Sequence, residues 1–94
     1  MRFILEPGPH GQVFTGAKPV DVVTAMKNTA MFYWEKTIRE YADVLVGNAK
    51  DFFGVDLVVK GETDEELAES LLAALVEKGL GRWADDAAPV PKVR

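Results

Sequence analysis

Hydrophobic and polar positions at the start of the chain form two short apolar segments on either side of a turn sequence. Residues 3–5 and 12–15 each have the length of a short strand, and the connector between them contains two prolines and two glycines. Prolines and glycines disfavour regular structure and favour turns. The pattern predicts an antiparallel hairpin over residues 2–15, with Phe3 and Leu5 on one face.

Helical spacing of apolar residues dominates the middle of the sequence. Pro19 is pre-organised for a first helical position and predicts the start of a first, short helix. A second helix is predicted from about Met31 to Phe53, because apolar residues recur there at steps of three and four. Gly54 is a typical stop for this helix. The predicted apolar stripe consists of Trp34, Ile38, Tyr41, Leu45, Ala49 and Phe52.

The second half of the chain predicts one more strand and one more helix. Residues 55–60 alternate between apolar and polar side chains, which predicts a strand with Val55, Leu57 and Val59 toward the core. Thr63 followed three residues later by Glu66 has the spacing of a capping box, which predicts the start of the last helix.

The end of the last helix and the end of the chain also carry local signals. Gly79 is expected to end the helix in the left-handed conformation, with Leu80 folding back onto it. Residues 84–94 contain two prolines and no periodicity, so we interpret them as an extended, mobile tail.

These elements predict an α+β fold in one small domain over residues 1–83. A short antiparallel sheet, made of the 2–15 hairpin and the 55–60 strand, is expected to pack against three helices. A length of 94 residues fits a single domain. No apolar run reaches the roughly 18 residues needed to cross a bilayer. Residues 1–7 are too short and too soon interrupted for a secretory signal, so we predict a cytoplasmic protein without a membrane partner.

Composition leaves little material for catalysis. The absence of cysteine excludes a disulfide scaffold, a thiolate metal site and a cysteine nucleophile. The glycines form no phosphate-binding loop. His10, the one histidine, lies in the hairpin turn, and an enzyme would require it to meet a carboxylate from elsewhere in the fold. We therefore predict no enzymatic activity, no metal and no cofactor.

Charge is distributed unevenly along the chain. The formal net charge is −4, and all of it resides in residues 48–94, because residues 1–47 hold five acids and five bases. The densest acidic cluster could be a solvated helix start, where the helix dipole favours acids, or an acidic face that docks on a basic protein surface. The cluster comprises Glu62, Asp64, Glu65, Glu66 and Glu69, with no base between them.

Aromatic residues supply a second candidate for partner binding. Phe32, Tyr33 and Trp34 are consecutive, and neighbouring helical residues point about 100° apart, so the three cannot all face one core. Either surrounding elements bury them all, or Phe32 or Tyr33 serves as an aromatic anchor for a partner. Trp83 is a second possible anchor, with covering the edge of the core as the alternative.

The leading functional hypothesis is a non-enzymatic protein-binding module that presents its acidic cluster and an aromatic residue to a basic partner. A concrete version is an inhibitor or adaptor acting on a nucleic-acid-binding protein, by analogy with small phage-encoded inhibitors of the anti-CRISPR type in size, acidity and lack of catalytic groups. The alternatives are a homo-oligomeric structural protein, whose surplus aromatics pack across a two-fold axis, and a small nucleic-acid regulator. The regulator would use Lys27, Lys36 and Arg39, although the acidic balance disfavours binding to nucleic acid.

Overall fold

A computed structural model describes residues 1–5, 12–29 and 35–84 of the protein. Its described part is a compact α+β domain in which three helices accompany a three-stranded antiparallel sheet with the strand order β2-β1-β3. This architecture confirms the predicted fold class. The elements are β1 (Arg2–Leu5), β2 (Gln12–Thr15), α1 (Pro19–Thr29), α2 (Ile38–Phe53), α3 (Asp64–Glu77) and β3 (Gly81–Trp83).

The sheet is organised around its central strand, β1. Phe3 lies opposite Phe14 of β2 on one side and opposite Trp83 of β3 on the other. Directly opposed residues share a face of the sheet, so these three rings lie together. Phe3 is completely buried, and its ring meets that of Trp83 edge to face at 5.0 Å between centroids. The antiparallel pairing of the two strands of the predicted hairpin is therefore confirmed, and the Phe3 face is the core face. The predicted turn over residues 6–11 lies outside the described residues.

The prediction of a strand over residues 55–60 is wrong, because those residues join no sheet. The position beside β1 belongs to β3, which the sequence pattern did not predict. The predicted alternation itself is present: Leu57 is buried and Val58 is exposed. The backbone N–H of Lys60, however, donates to Ser70 Oγ of α3 at 2.8 Å. The alternation of apolar and polar residues predicted that one side of the segment is buried. It did not predict which group the backbone of the segment would bond to.

Helix α2 begins at Ile38, so the prediction of a helix from Met31 is wrong over residues 35–37, which form a turn. A capping box sets this boundary: Thr37 Oγ1 accepts from the N–H of Glu40 at 3.1 Å, and the Glu40 carboxylate accepts from the N–H of Thr37 at 2.9 Å. A capping residue has extended backbone and cannot lie inside a helix. The part of the prediction that covers residues 31–34 lies outside the described residues.

Helices α2 and α3 run in the same direction. At their starts, the Arg39 guanidinium donates to the carbonyl of Gly61 at 2.9 Å, just before α3. At their other ends, Phe53 of α2 and Leu75 of α3 line one common groove. Residues 55–60 therefore lead the chain back from the end of α2 to the start of α3.

Both helices end at the glycines that the sequence predicts. Gly54 ends α2 with a left-handed φ of 64°. At the end of α3, Gly79 has a φ of 78°, and the N–H of Leu80 donates to the carbonyl of Leu75 at 2.8 Å. This pair of features is the Schellman motif, in which a glycine turns the chain and Leu80 folds back. The turn leads directly into β3.

The core lies between the sheet and the helices. Its most deeply buried side chains come from the central strand, from α1 and from α3, which confirms α3 as an amphipathic element packed on the sheet. Ala84, the first residue of the predicted tail, is bonded to the sheet, because its N–H donates to the carbonyl of Arg2 at 2.9 Å. Residues 85–94 lie outside the described residues, so their predicted mobility stays a prediction. The six largest fully buried side chains are Phe3, Val22, Val23, Met26, Leu71 and Leu72.

Candidate functional site

The acidic residues named from the sequence lie together at the start of α3. All five are exposed, and they occupy the residue before the N-cap and the first two turns of the helix. Because the first two turns of a helix are rigid once capped, the carboxylates project from a fixed scaffold. This surface is called the acidic patch below and consists of Glu62, Asp64, Glu65, Glu66 and Glu69.

Glu66 differs from the other members of the acidic patch because its carboxylate is part of the helix cap. Its Oε1 accepts from the N–H of Glu62 at 2.8 Å and from that of Thr63 at 3.4 Å. Its own N–H donates to Thr63 Oγ1 at 3.1 Å, completing the box. Gly61 packs so closely on this turn that a Cβ there would lie 2.7 Å from Glu66 Cβ. Through these capping hydrogen bonds, Glu66 therefore stabilises the start of α3.

The four other carboxylates of the acidic patch have no such role. None of them forms an ion pair or a side-chain hydrogen bond with a described residue. Arg39, whose guanidinium reaches the residue before the patch, donates to the Gly61 carbonyl. These four carboxylates, on Glu62, Asp64, Glu65 and Glu69, are therefore exposed and have no neutralising partner among the described residues.

Of the three aromatic residues considered as anchors for a partner, the structure describes Trp83 alone. Phe32 and Tyr33 lie outside the described residues. Trp83 is half-buried in β3, where its ring contacts Phe3. The structure thus places Trp83 at the edge of the core, in agreement with the second of the two interpretations of this residue.

The structure also shows an apolar groove at the end of α2 that the sequence pattern did not predict. Phe52 is 73% exposed and Phe53 is 51% exposed, although Phe52 was assigned to the core-facing stripe. Two consecutive phenylalanines before a helix-ending glycine were the available signal, because neighbouring helical positions cannot share one face. The groove measures about 220 Å³ and is lined by Leu5, Leu45, Asn48, Ala49, Phe52, Phe53, Leu75 and Leu80.

Two of the three basic residues considered for nucleic-acid binding, Lys27 and Arg39, form hydrogen bonds within the protein. Lys27 is only 9% exposed, and its ammonium group donates to Asn28 Oδ1 at 3.0 Å. The Arg39 guanidinium donates a hydrogen bond to the carbonyl of Gly61, just before α3. The aromatic residues that these side chains would flank, Phe32 and Tyr33, lie outside the described residues, so the nucleic-acid alternative stays a prediction.

Metal-binding clusters and membrane-spanning helices are both absent from the described residues. Within residues 1–5, 12–29 and 35–84, no three His, Cys, Asp or Glu side chains are grouped closely enough to hold a metal ion. In that same part of the chain, no helix has both the length and the apolar character to cross a bilayer. His10 lies outside the described residues. Comparisons with protein-family models, curated proteins and solved structures found no match to this chain.

Proposed function

We propose that this chain is a small, acidic, non-enzymatic protein-binding module whose acidic patch docks on a basic surface of another protein. The observation that supports this proposal is that Glu62, Asp64, Glu65 and Glu69 project from one capped helix start without an ion pair to a described residue. Like charges held together repel one another, and a cationic partner relieves that repulsion on binding.

A nucleic-acid-binding protein is the class of partner that fits this surface best. Such proteins carry clustered lysines and arginines that neutralise phosphates, so they offer the complementary charge. A carboxylate cluster that occupies those cations competes with nucleic acid, which makes the chain an inhibitor or an adaptor. Because both surfaces are exposed to solvent, the affinity is expected to fall steeply as the salt concentration rises.

A matched pair of variants tests whether the acidic patch is the contact surface. The patch variant neutralises the four unpaired carboxylates and keeps Glu66, because that residue caps α3. The control variant makes the same change in net charge at four exposed acids that are not members of the acidic patch. The substitutions are Glu62→Gln, Asp64→Asn, Glu65→Gln and Glu69→Gln in the first, and Glu35→Gln, Asp43→Asn, Asp51→Asn and Glu77→Gln in the second.

All three proteins serve as baits in affinity purification from the native host, followed by mass spectrometry and by titration of each captured protein. We expect a basic protein that binds the wild-type chain and the control variant, with at least about tenfold weaker binding to the patch variant. Nucleic acid should compete with this binding. The proposal fails if the patch variant binds the captured protein as tightly as the control does, or if that protein is acidic.

The variants must also remain folded for the comparison to be valid. Removing Asp64 and Glu65 from the first turn loses favourable dipole interactions, whereas neutralising Glu65 and Glu69 relieves a repulsion four residues apart. These effects oppose each other, so we expect the free energy of unfolding to change by less than about 1 kcal/mol. Urea denaturation of the three proteins checks this.

A further inference from the structure

The two outer strands of the sheet differ in how open their edges are. In β3, Gly81 is buried and Trp83 is half-buried, so little of that edge reaches solvent. In β2, Gln12 and Thr15 are exposed, and Val13 is 56% exposed despite its apolar side chain. The edge formed by β2 is therefore the accessible one.

The hydrogen-bond pattern shows which backbone groups this open edge presents. Met1 and Gly16 exchange two hydrogen bonds, of 2.8 and 3.1 Å, next to the β1–β2 ladder. Bonding alternates along an antiparallel pair, so Phe14 also points its N–H and C=O groups toward β1. Val13 and Thr15 consequently point theirs outward, and no described residue is bonded to them.

Nothing in the composition of β2 protects this edge against pairing. Edge strands are commonly protected by lysine, proline or other charged positions. The sequence of β2, Gln-Val-Phe-Thr, contains neither proline nor charge, whereas β3 carries Arg82. The acidic patch lies at the start of α3, which packs against β3 at the other edge of the sheet, whereas α1 packs against β2. Two copies can therefore approach edge to edge here without the repulsion that their acidic patches would cause.

We propose that β2 is a self-association site, at which β2 of a second copy pairs in antiparallel orientation. Val13 and Thr15, whose backbone groups point outward, lie symmetrically on either side of Phe14. A two-fold axis at Phe14 therefore places Val13 of each copy opposite Thr15 of the other copy. Each of these two residue pairs exchanges both backbone hydrogen bonds. The product is one continuous six-stranded sheet with the helices of both copies on the same face.

The outer face of the sheet adds an apolar contact to these hydrogen bonds. Val13 lies opposite Ile4 of β1 on that face, and in the pair it also meets the methyl group of the partner's Thr15. Four-residue strands form an interface below the roughly 1,000 Å² of a stable complex. The association is therefore weak and depends on protein concentration.

Sedimentation equilibrium of the purified full chain, from about 10 µM to about 1 mM, tests the association. We expect the apparent mass to rise from 10.3 kDa toward twice that value. Val13→Pro removes one outward N–H that the β1 ladder does not use, so the monomer should fold and stay at 10.3 kDa. Val13→Thr keeps the N–H and the branched side chain and should still associate.

Amide hydrogen exchange provides a second measurement on the unaltered chain. The N–H groups of Val13 and Thr15 should exchange at least about tenfold more slowly at the highest concentration than at the lowest. Thr15→Pro, which removes the other outward N–H, should abolish association as Val13→Pro does.

Three results would overturn the proposal. They are a monomer throughout the concentration range, unchanged exchange at both amides, and a dimer that persists in both proline variants. A dimer that dissociates only in the Phe52→Ser, Phe53→Ser double variant would place the contact in the groove instead. None of these variants changes the acidic patch, so the binding of a basic partner can be tested separately.

Discussion

Gly81 and Gly47 differ in whether the surrounding structure leaves space for a side chain. Gly81 in β3 lies against the buried ring of Phe3: a Cβ there would be 2.5 Å from Phe3 Cζ and 3.2 Å from the carbonyl oxygen of Ile4. Gly47 lies in the middle of α2, where a Cβ would meet no described neighbour within 4 Å. Gly47 thus makes no close contact with another described helix, and this part of the structure leaves room for a side chain at the position.

Alanine substitution at these two glycines should shift stability in opposite directions. Gly81→Ala forces a displacement of Phe3, which is completely buried, and should lower the free energy of unfolding by about 2–3 kcal/mol. Gly47→Ala removes the helical penalty of glycine and should raise it by up to about 1 kcal/mol. Urea denaturation measures both. Equal stability of Gly81→Ala and the wild-type chain would contradict the packing described for β3.

Among the elements, two capping boxes decide where α2 and α3 begin. Thr37 with Glu40, and Thr63 with Glu66, have the same spacing in the sequence and the same reciprocal hydrogen bonds in the structure. The second box was predicted, whereas the first was missed. The apolar stripe of α2, extended back to Trp34, suggested a helix that ran through the Thr37 position. Local capping chemistry outweighed the continuing periodicity.

Two substitutions in the α3 capping box separate the contribution of its hydrogen bonds to stability from the contribution of the Glu66 charge. Thr63→Ala removes the side-chain acceptor for the N–H of Glu66 and should cost about 1 kcal/mol. Glu66→Gln keeps an oxygen that accepts from the N–H groups of Glu62 and Thr63, so its cost should be close to zero. Thermal unfolding followed by circular dichroism compares them. A Glu66→Gln loss as large as that of Thr63→Ala would show that the charge, rather than the hydrogen bonds, stabilises α3.

Across the molecule as a whole, the extent of the core explains which apolar residues are buried. The parallel arrangement of α2 and α3 places the acidic patch at one end and the groove at the other, with Glu65 and Leu75 about 15 Å apart along α3. The last turn of α2 projects past the core, so Phe52 is exposed while Ala49, one turn earlier, is 4% exposed.

Truncation of two apolar residues should reveal this limit of the core. Leu71→Ala, at a position with no exposure, should reduce the free energy of unfolding by about 2–5 kcal/mol. Phe52→Ala removes a larger side chain, yet should cost less than about 0.5 kcal/mol because that side chain remains in solvent. Urea denaturation of the two variants is the measurement. Similar losses would indicate that Phe52 is covered in the folded protein.

The candidate site was predictable only where its residues are close in sequence. The acidic patch was found from the sequence because its five members lie within a span of eight residues at one helix start. The groove was not found, because it combines residues from β1, α2, α3 and the turn before β3. The open edge of β2 likewise depends on which strand occupies the other side of β1.

Local chemistry was enough to specify the pairing of the first two strands, the buried face of α3, the α3 capping box and the glycine stops at Gly54 and Gly79. The partners of those elements followed from the packing of the folded chain. The alternation over residues 55–60 indicated correctly that one side of this segment is buried. A periodicity cannot show which other segment of the backbone lies beside it. The three residues of β3 are too short to show any period, and their pairing with β1 joins positions about 80 residues apart. Such contacts involve distant parts of the chain at once, so no short segment specifies them.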